Sequence, residues 1–569
     1  MKRIFAFLLA ALLLLSLGAC GAPAEKADVP ANQTAAVDEG EYHGELPFVK
    51  PGEEPVTITI GITTNANVTD YKDNAYTKWL EEKTGLNLEF MQFADLKTYS
   101  TQIALMVSSG EKLPDILYRA SSINKQQGEQ YGQDGYFAPL TEYFEKYAYY
   151  FRQAYDELYN GDPTQLELTL RRCSGADNQP IFCFPFCLRD SYSDPQLQGW
   201  INQDWLDKLG LKMPETVAEL YDVLVAFRDG DPNGNGKRDE IPIVGRASYT
   251  YEATDPLNWI INAYTYFDDH VHFVANDRKI STPYNSDEYR QALCFINKLY
   301  REGLITQITW TQTNSELKGI INPAPGDPYL AGVVFFNNGS IFTQGSDALR
   351  AYTPLKPLKG ETSKGGYAVN YYSRIMTTYI SADCARPDLA FKLLDFTCSP
   401  EAYLRQRYGE YGVDWEWAEP GKPGHRGGEA KIRLINPMVS SEQNAQCWHV
   451  VGTIASELDW QYEVDLSKTD DWDTQRVIKL NQLYANSMNA PVPDEVFDFA
   501  IYSVSEYEER SEFALDIRDY IFNRRSAFCT NELDPNDDAA WQEYLDGLDA
   551  LHYDRWVELA QIGYDRLFE

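Results

Sequence analysis

Hydrophobic and polar positions follow two different periods along residues 56–118, and these periods predict alternating strands and helices. VTITIGI at 56–62 is a β-branched, apolar run typical of a buried strand, and LNLEFMQF and PDILY repeat this character further along. Between these runs, NAYTKWLEEKTG and TYSTQIALMVSSG space their apolar residues as amphipathic helices do, and each ends at a glycine. The series strand, helix, strand, helix, strand predicts a doubly wound α/β lobe.

A second lobe is predicted to begin near Trp200. The pattern there predicts a helix at 203–209, a further helix that ends near Arg228, and an oxygen-rich loop before the strand-like IPIVG. From about residue 440 onward the pattern is mostly helical. The predicted α/β fold therefore has a first lobe at 55–190 plus about 370–410, and a second lobe at 191–369 plus about 411–569, largely helical at its end.

The first twenty residues, MKRIFAFLLAALLLLSLGAC, have the parts of an export signal. Lys2 and Arg3 precede an apolar run at 4–15 that is short for a membrane span, and small residues follow it. The end, LGAC, resembles a bacterial lipobox, in which Cys20 carries the lipid; a plain secretory signal is the alternative. We therefore predict a signal peptide at 1–19, a flexible tether at 20–54, and an extracellular lipoprotein anchored to the cell membrane through Cys20.

Composition narrows the classes of function. The formal net charge of −35 argues against nucleic acid and against anionic lipid as partners of the folded body, because both need a cationic surface. A hydrophobic content of 44% excludes a disordered chain. The sequence contains no G-x-S-x-G, H-E-x-x-H or P-loop motif, so we predict no enzyme. The chain's 85 acidic residues leave a carboxylate pair for glycoside hydrolysis open as the alternative.

The stretch DGDPNGNGKRDEIP at 229–242 crowds oxygen-bearing side chains into one loop with glycines. Hard cations such as calcium take six to eight oxygens at about this density. One register runs from Asp229 to Glu240 and fits the pattern of an EF-hand loop. We prefer a second register, which leaves no oxygen side chain from 231 to 240 unused. It predicts a structural calcium held by Asp231, Asn233, Asn235, the carbonyl of Lys237, Asp239 and Glu240.

Several blocks of the chain together resemble extracellular solute-binding proteins of the family 1 type, most closely LipO-like lipoproteins of carbohydrate ABC importers. They are the lipobox, YTKWLEEKTGLNLEF, PDILY, QDWLDKLGLKMPETVAELYDVLVAFRDGDPNGNGKRDEIPI and ISADCARPDLAFKLLDFTCSPEAYLRQRYGEYGV. The resemblance implies a two-lobed periplasmic-binding-protein fold of a type II-like kind. It also implies a hinge, a ligand held between the lobes, and delivery to ABC permease subunits in the membrane. In related alginate-binding proteins a loop like 231–240 holds calcium, which supports the second register.

A saccharide needs flat aromatic platforms and a few polar groups, and the chain holds 12 Trp and 39 Tyr. The candidate ligand-binding residues are Tyr118, Arg119, Trp200, Trp259, Trp310, Tyr371, Tyr372, Arg374, Trp415 and Trp417. Arg119 and Arg374 could also clamp the carboxylate of an acidic sugar. We therefore predict a monomeric receptor that captures an oligosaccharide or another small molecule for import. The alternatives are a peptide-binding receptor and a secreted enzyme that acts on glycans.

Overall fold

Two β-sheets, each packed into a separate hydrophobic core, form the framework of the computed structural model of the protein. The structure describes residues 42–159, 161–176, 179–185, 187–188, 197–247, 253–268, 272–336, 339–360, 365–368, 377–425, 428–436, 443–448, 454–455, 461–467, 470–488, 490–496 and 500–569. The predicted signal peptide, Cys20 and most of the predicted tether lie outside these residues. Within the described ranges, no helix combines the length and the apolar character needed to cross a bilayer.

The strands in the described ranges are β1 (Val56–Thr63), β2 (Leu86–Phe93), β3 (Ile116–Leu117), β4 (Cys183–Pro185), β5 (Cys187–Leu188), β6 (Gly199–Asn202), β7 (Ile241–Ile243), β8 (Val274–Asn276), β9 (Lys279–Ser281), β10 (Ala331–Phe335), β11 (Tyr352–Leu355), β12 (Thr377–Ile380), β13 (Trp415–Trp417), β14 (Ile432–Leu434), β15 (Ile454–Ala455) and β16 (Glu495–Val496).

The helices there are α1 (Ala75–Thr84), α2 (Leu96–Ser109), α3 (Lys125–Gln133), α4 (Thr141–Tyr147), α5 (Tyr149–Leu158), α6 (Pro163–Cys173), α7 (Gln203–Leu209), α8 (Val217–Asp229), α9 (Pro256–Ile261), α10 (Asp287–Arg301), α11 (Asn314–Ile321), α12 (Ala348–Ala351), α13 (Pro387–Thr397), α14 (Pro400–Tyr408), α15 (Trp472–Met488), α16 (Val504–Cys529), α17 (Asp538–Ala550) and α18 (Tyr553–Asp565).

The first sheet has the strand order β2–β1–β3–β12–β4. β1 pairs in parallel with both β2 and β3, and α1 and α2 connect these strands. The side chains of Asn74 and Asp95 cap the first turns of the two helices, and a glycine ends each helix, as the sequence pattern predicted. The predicted α/β class is therefore confirmed.

β12 comes from late in the chain and completes the first sheet, antiparallel between β3 and β4. The helix that follows it, α13, carries the buried residue Asp395. The Asp395 carboxylate accepts the backbone N–H groups of Tyr150, at 3.2 Å, and Phe151, at 2.9 Å, in the first turn of α5. No side chain at the start of α5 caps that helix, so Asp395 provides its cap from another element.

Asp395→Ala is expected to lower the free energy of unfolding by about 1–2 kcal/mol, because two helix N–H groups lose their acceptor.

Burial raises the pKa of Asp395 to about 7, although the backbone N–H groups at the carboxylate act to lower it. The folded state thus binds this proton more tightly than the unfolded chain, and stability falls as pH rises from about 4 to about 7. Asp395→Asn should flatten that fall. Urea unfolding at pH 5 and pH 8 checks both variants; an unchanged pH profile in Asp395→Asn would contradict the assignment.

The second sheet has the strand order β11–β6–β10–β7 and belongs to the other core. α8 begins with a capping box between Thr216 and Glu219, at the position where the sequence predicted a helix start. The described residues from about 440 onward are mostly helical, as predicted, although β15 and β16 interrupt the helices, and α16 packs against α10 and α18. Within this core, the Arg525 guanidinium of α16 donates to Asn258 Oδ1 of α9 at 2.6 Å.

Two segments lie elsewhere than the predicted boundaries place them. Residues 43–54 were assigned to the tether, but Val49 is buried in the first core and its N–H donates to the carbonyl of Thr84. Gly85 allows this approach, because a Cβ there would lie 2.1 Å from the Val49 carbonyl oxygen. Residues 443–448 were assigned to the second lobe, but Trp448 is buried in the first core. The reason is that apolar side chains in both segments are covered by the first lobe.

Candidate functional site

Two connections of the chain run from the carboxyl edge of one sheet to the carboxyl edge of the other. In the first sheet, β1, β2, β3 and β4 end at the edge where β12 begins. In the second sheet, β7, β10 and β11 end at the edge where β6 begins. The chain passes from the end of β4 to the start of β6, and from the end of β11 to the start of β12. Both connections therefore join these two edges, which is where open α/β sheets bind ligands.

Four aromatic residues predicted to face a ligand are core residues instead. Tyr118 and Trp200 are fully buried, Tyr118 in the core of the first lobe and Trp200 in a core cluster of the second. Trp259 packs in the main core of the second lobe, 5.4 Å from the ring of Phe335. Trp415 is fully buried beside α14. Three of them hydrogen-bond within the protein. The Tyr118 hydroxyl accepts from the Gln406 amide, the Trp200 indole N–H donates to the Phe336 carbonyl, and the Trp415 indole N–H donates to the Gly409 carbonyl.

The other predicted ligand residues divide into three groups. Arg119 lies at the carboxyl edge of β3 with a left-handed backbone φ of 52°, and its N–H donates to the Thr378 hydroxyl at 3.0 Å. Trp310 and Trp417 are half-buried and pack edge-on against Tyr300 and Trp415, respectively. Tyr371, Tyr372 and Arg374 lie outside the described residues. Of the predicted set, Arg119 thus lies at the carboxyl edge of the first sheet.

A cavity of about 340 Å³ lies between helix α3 of the first lobe and the start of α16 in the second lobe. Ligand pockets in proteins typically measure about 300–1,000 Å³. Its first wall is the polar face of α3, and the opposite face of this helix packs on the first core through two glycines. A Cβ at Gly128 would lie 2.2 Å from Tyr379, and one at Gly132 would lie 2.3 Å from Phe182. The residues on the wall are Asn124, Lys125, Gln126, Glu129, Gln130 and Gln133.

The second wall is formed by the start of α16 and the residues before it. Ala500 and Ile501 are buried in the second core and fix this segment there. The Ser503 hydroxyl and the Glu506 carboxylate cap the helix reciprocally. Arg566 holds Glu506 through two N–O contacts of 2.7 and 2.6 Å, and this pair lowers the pKa of Glu506 to about 2. The side chains that reach the cavity are Tyr502, Ser503, Val504, Tyr507 and Arg510.

The sequence analysis named none of these cavity residues. The segment NKQQGEQYGQ at 124–133 holds four Gln and one Asn in ten residues, and its two glycines are four positions apart. Glycines with that spacing share one helix face, so they mark the side that packs closely and leave the amides on the other. This signal was available but weak, because the opposite wall is contributed by residues more than 350 positions later and no local pattern links the two.

The oxygen-rich loop follows α8 and folds back on itself. The amides of Asn233 and Asn235 both donate to Asp239 at 3.0 Å, and these hydrogen bonds lower the pKa of that carboxyl. The Asp231 carboxylate accepts the N–H of Gly236 at 3.1 Å. Asp229 lies outside this arrangement and pairs with its neighbour Arg228 at 2.7 Å. Three of the six predicted ligands, Asn233, Asn235 and Asp239, therefore converge, and the residue that starts the alternative register is paired with an arginine of the chain.

Glu240 is the unusual group of the loop. Both oxygens of its carboxylate are buried and have no hydrogen-bond partner among the described residues. A buried carboxylate without a partner is strongly disfavoured unless a cation compensates its charge. Within the described ranges, however, no three His, Cys, Asp or Glu side chains form a metal-ligand group by themselves. Amide and backbone oxygens would have to supply part of any coordination shell here, which calcium accepts readily.

Comparisons with known proteins agree with this architecture. The model of the bacterial extracellular solute-binding protein family matches residues 65–403, which is more than half of the chain. The fructooligosaccharide ABC transporter substrate-binding protein FusA of Streptococcus pneumoniae is 24% identical over 503 residues, or 86% of each chain. Lipoprotein LipO of Bacillus subtilis is 28% identical over 228 residues, which is 38% of this chain and 43% of LipO.

Solved structures show the same fold. A human-milk-oligosaccharide-binding protein of an ABC transporter from Bifidobacterium longum infantis aligns with a TM-score of 0.70 and 19% identity, over 90% of this chain and 99% of that chain. FusA in complex with kestose aligns with a TM-score of 0.65 and 20% identity over the same shares, and an EF-hand mutant of FusA gives the same values. The two-lobed periplasmic-binding-protein fold is thus confirmed. The chain belongs to the bacterial extracellular solute-binding protein family.

Proposed function

We propose that the protein is a receptor that captures a saccharide between its lobes and delivers it to an ABC importer. The observation that carries this proposal is the cavity with one wall on each lobe, lined by amides, tyrosines and few charges. Amide groups and tyrosine hydroxyls exchange hydrogen bonds with sugar hydroxyls, and tyrosine rings cover sugar C–H faces. The similarity to FusA, which is described as a fructooligosaccharide-binding component of an ABC transporter, supports the same class of ligand.

Capture in this account needs no chemical step. The chain passes between the two cores three times, after β4, after β11 and after Trp448, and rotation of the lobes about these connections as rigid bodies would close the cavity. A ligand that contacts α3 and α16 at once interacts more strongly with the closed arrangement than with the open one, and it shifts the population toward closure. An importer can then distinguish loaded receptors from empty ones by their shape. The protein would act as a monomer, with Cys20 lipidated and holding it at the outer face of the cell membrane.

We also propose that the loop at 231–240 binds a structural calcium ion. The ligands would be Asp231, Asn233, Asn235, the carbonyl of Lys237, Asp239 and Glu240. The convergence of Asn233, Asn235 and Asp239 and the uncompensated carboxylate of Glu240 support this set. FusA, a relative of this chain, has been solved as an EF-hand mutant, so it carries an EF-hand of its own, which supports a calcium loop here. The ion would fix the end of α8 to the start of β7 and would take no part in ligand binding.

Isothermal titration calorimetry of the full mature protein against a panel of neutral and acidic oligosaccharides tests the receptor function. We expect saturable one-to-one binding of at least one saccharide, no heat with tri- or tetrapeptides, and recovery of the saccharide unchanged by mass spectrometry. Binding of peptides alone would favour a peptide receptor. Cleaved saccharide would instead identify a glycan-acting enzyme, and either result would overturn the proposal.

A further inference from the structure

We infer that the saccharide carries a carboxylate group and that Arg510 binds it in the cavity between α3 and α16. This inference rests on the proposed receptor function and specifies its ligand. Arg510 is contributed by the second turn of α16, and Lys125 and Glu129 face it from α3 across the cavity. A guanidinium group matches the geometry of a carboxylate, because its parallel N–H groups can donate to both oxygens.

Arg510 has no carboxylate partner within the described part of the chain, although α16 is rich in acids. The acid four residues before it, Glu506, would be its ordinary helical partner, but Arg566 holds that carboxylate in a two-contact pair. The neighbouring Glu509 is held by Arg555 at 2.7 and 2.8 Å. The Arg510 guanidinium instead lies near the Tyr502 ring, 5.4 Å from its centre. Two other arginines thus occupy the acids that would otherwise neutralise Arg510.

Among the described residues that line the cavity, the charges leave one positive charge in excess. Lys125 and Glu129 form an ion pair with each other, and Lys125 also donates to the carbonyl of Ser174 at 3.1 Å. Arg510 is the third charged side chain among the described residues of the lining, so these residues contribute two cations and one anion. The whole chain carries a formal net charge of −35, so acids are plentiful, and a cation in the cavity that none of the described acids pairs with is unusual. A ligand with one negative charge would complete the balance.

The same balance favours a carboxylate over a phosphate. A carboxylate carries one negative charge at neutral pH, whereas a phosphate monoester carries about −1.5 to −2. One guanidinium compensates the charge of a carboxylate but leaves a phosphate with uncompensated negative charge in the cavity. The remaining lining, made of glutamines, Asn124, Ser503 and two tyrosines, suits the hydroxyls and C–H faces of a sugar ring. The chemical class of ligand is therefore an oligosaccharide that contains a uronic acid.

The test compares ligands that differ in the carboxylate alone. Oligogalacturonides, oligomannuronates and oligoguluronates are titrated by calorimetry, each beside its fully methyl-esterified form, with acetate as the bare carboxylate and a sugar phosphate as a further arm. We expect one acid form to bind wild-type protein at least about tenfold more tightly than its ester. Arg510→Gln should remove this difference. Arg524→Gln should preserve it, because it removes the same charge from α16 at a surface pair with Glu543, outside the cavity.

A second variant keeps the inference testable if Arg510→Gln does not fold, as judged by its melting curve. Glu129→Gln removes the anion of the lining and should tighten binding of the acid form by several-fold while the ester is unaffected. Binding of neutral saccharides only, a preference for the sugar phosphate, or equal affinities for acid and ester would overturn the inference and leave the receptor function standing. Binding by acetate as tight as by the uronate would show a bare anion site and overturn it too. If no saccharide binds, both proposals fail.

Discussion

Trp448→Ala is expected to lower the free energy of unfolding of the first lobe by about 3–5 kcal/mol. The Trp448 ring is fully buried and packs edge-on against Tyr71, Tyr76 and Phe90. Its indole N–H donates to the Thr77 hydroxyl of α1 at 2.9 Å. Alanine would leave a large cavity and remove one hydrogen bond to the Thr77 hydroxyl, and the surrounding rings cannot close such a space completely.

The same substitution should also release the segment before Trp448 from α1. The carbonyls of Ala445 and Gln446 accept the first two N–H groups of that helix, at 2.8 and 3.1 Å, and Asn74 donates to the carbonyl of Cys447. Hydrogen exchange of the N–H groups of Ala75 and Tyr76 should therefore accelerate along with the loss of stability.

Urea unfolding followed by circular dichroism measures the stability effect. Trp417→Ala is the matched control, because Trp417 is half-buried at the surface of a small cluster beside α14, and we expect a loss of about 1 kcal/mol there. A loss for Trp448→Ala that is no greater than for Trp417→Ala would show that residues 443–448 do not pack on the first lobe as described.

Removal of calcium is expected to lower the stability of the second lobe by about 4 kcal/mol, if the free ion is present at about a thousand times its dissociation constant. Without the ion, the buried carboxylate of Glu240 would have no compensating charge, and the loop that joins α8 to β7 would no longer be held in place. The melting temperature should then fall by several degrees in EGTA and recover on addition of calcium.

Two substitutions separate the two registers of the loop. Asp239→Ala removes the carboxylate to which both asparagine amides donate, and it should abolish the effect of calcium on melting. Asp229→Ala removes a carboxylate that is already paired with Arg228, and it should leave the calcium effect intact. Calcium dependence that is lost in Asp229→Ala and kept in Asp239→Ala would establish the alternative register, and a melting temperature indifferent to EGTA would exclude the site.

Local patterns were sufficient for the parts of the fold that depend on neighbours in sequence. The β-branched run at 56–62, the helical spacing of apolar residues and the closing glycines Gly85 and Gly110 predicted the first strands and helices, and the structure has them there. Pairing across long separations could not be predicted in the same way. β12 enters the first sheet about 260 positions after β3, and its four residues carry no mark of that partner.

The aromatic residues show why the candidate site was harder to predict than the fold. Tyr118 and Arg119 are adjacent just after β3, but Tyr118 is buried in the core, whereas Arg119 has a left-handed backbone that turns the chain at the sheet edge. Trp200 and Trp415 have the flat apolar rings that a sugar-binding platform needs, but such rings pack equally well in a hydrophobic core, which is where they lie. The cavity residues Lys125 and Arg510 come from separate lobes, and only the folded chain brings them together.

The enclosure of a saccharide by both lobes is tested most directly by a distance measured across them. Leu105 of α2 and Leu515 of α16 are 62% and 59% exposed, one on each lobe, and a ketone-bearing residue at each position would accept a nitroxide label without involving the cysteines. Pulsed electron spin resonance should give one broad or long distance for the free protein and a shorter, narrower one when a binding saccharide is added. An identical distance distribution with and without a saccharide that calorimetry shows to be bound would contradict the account.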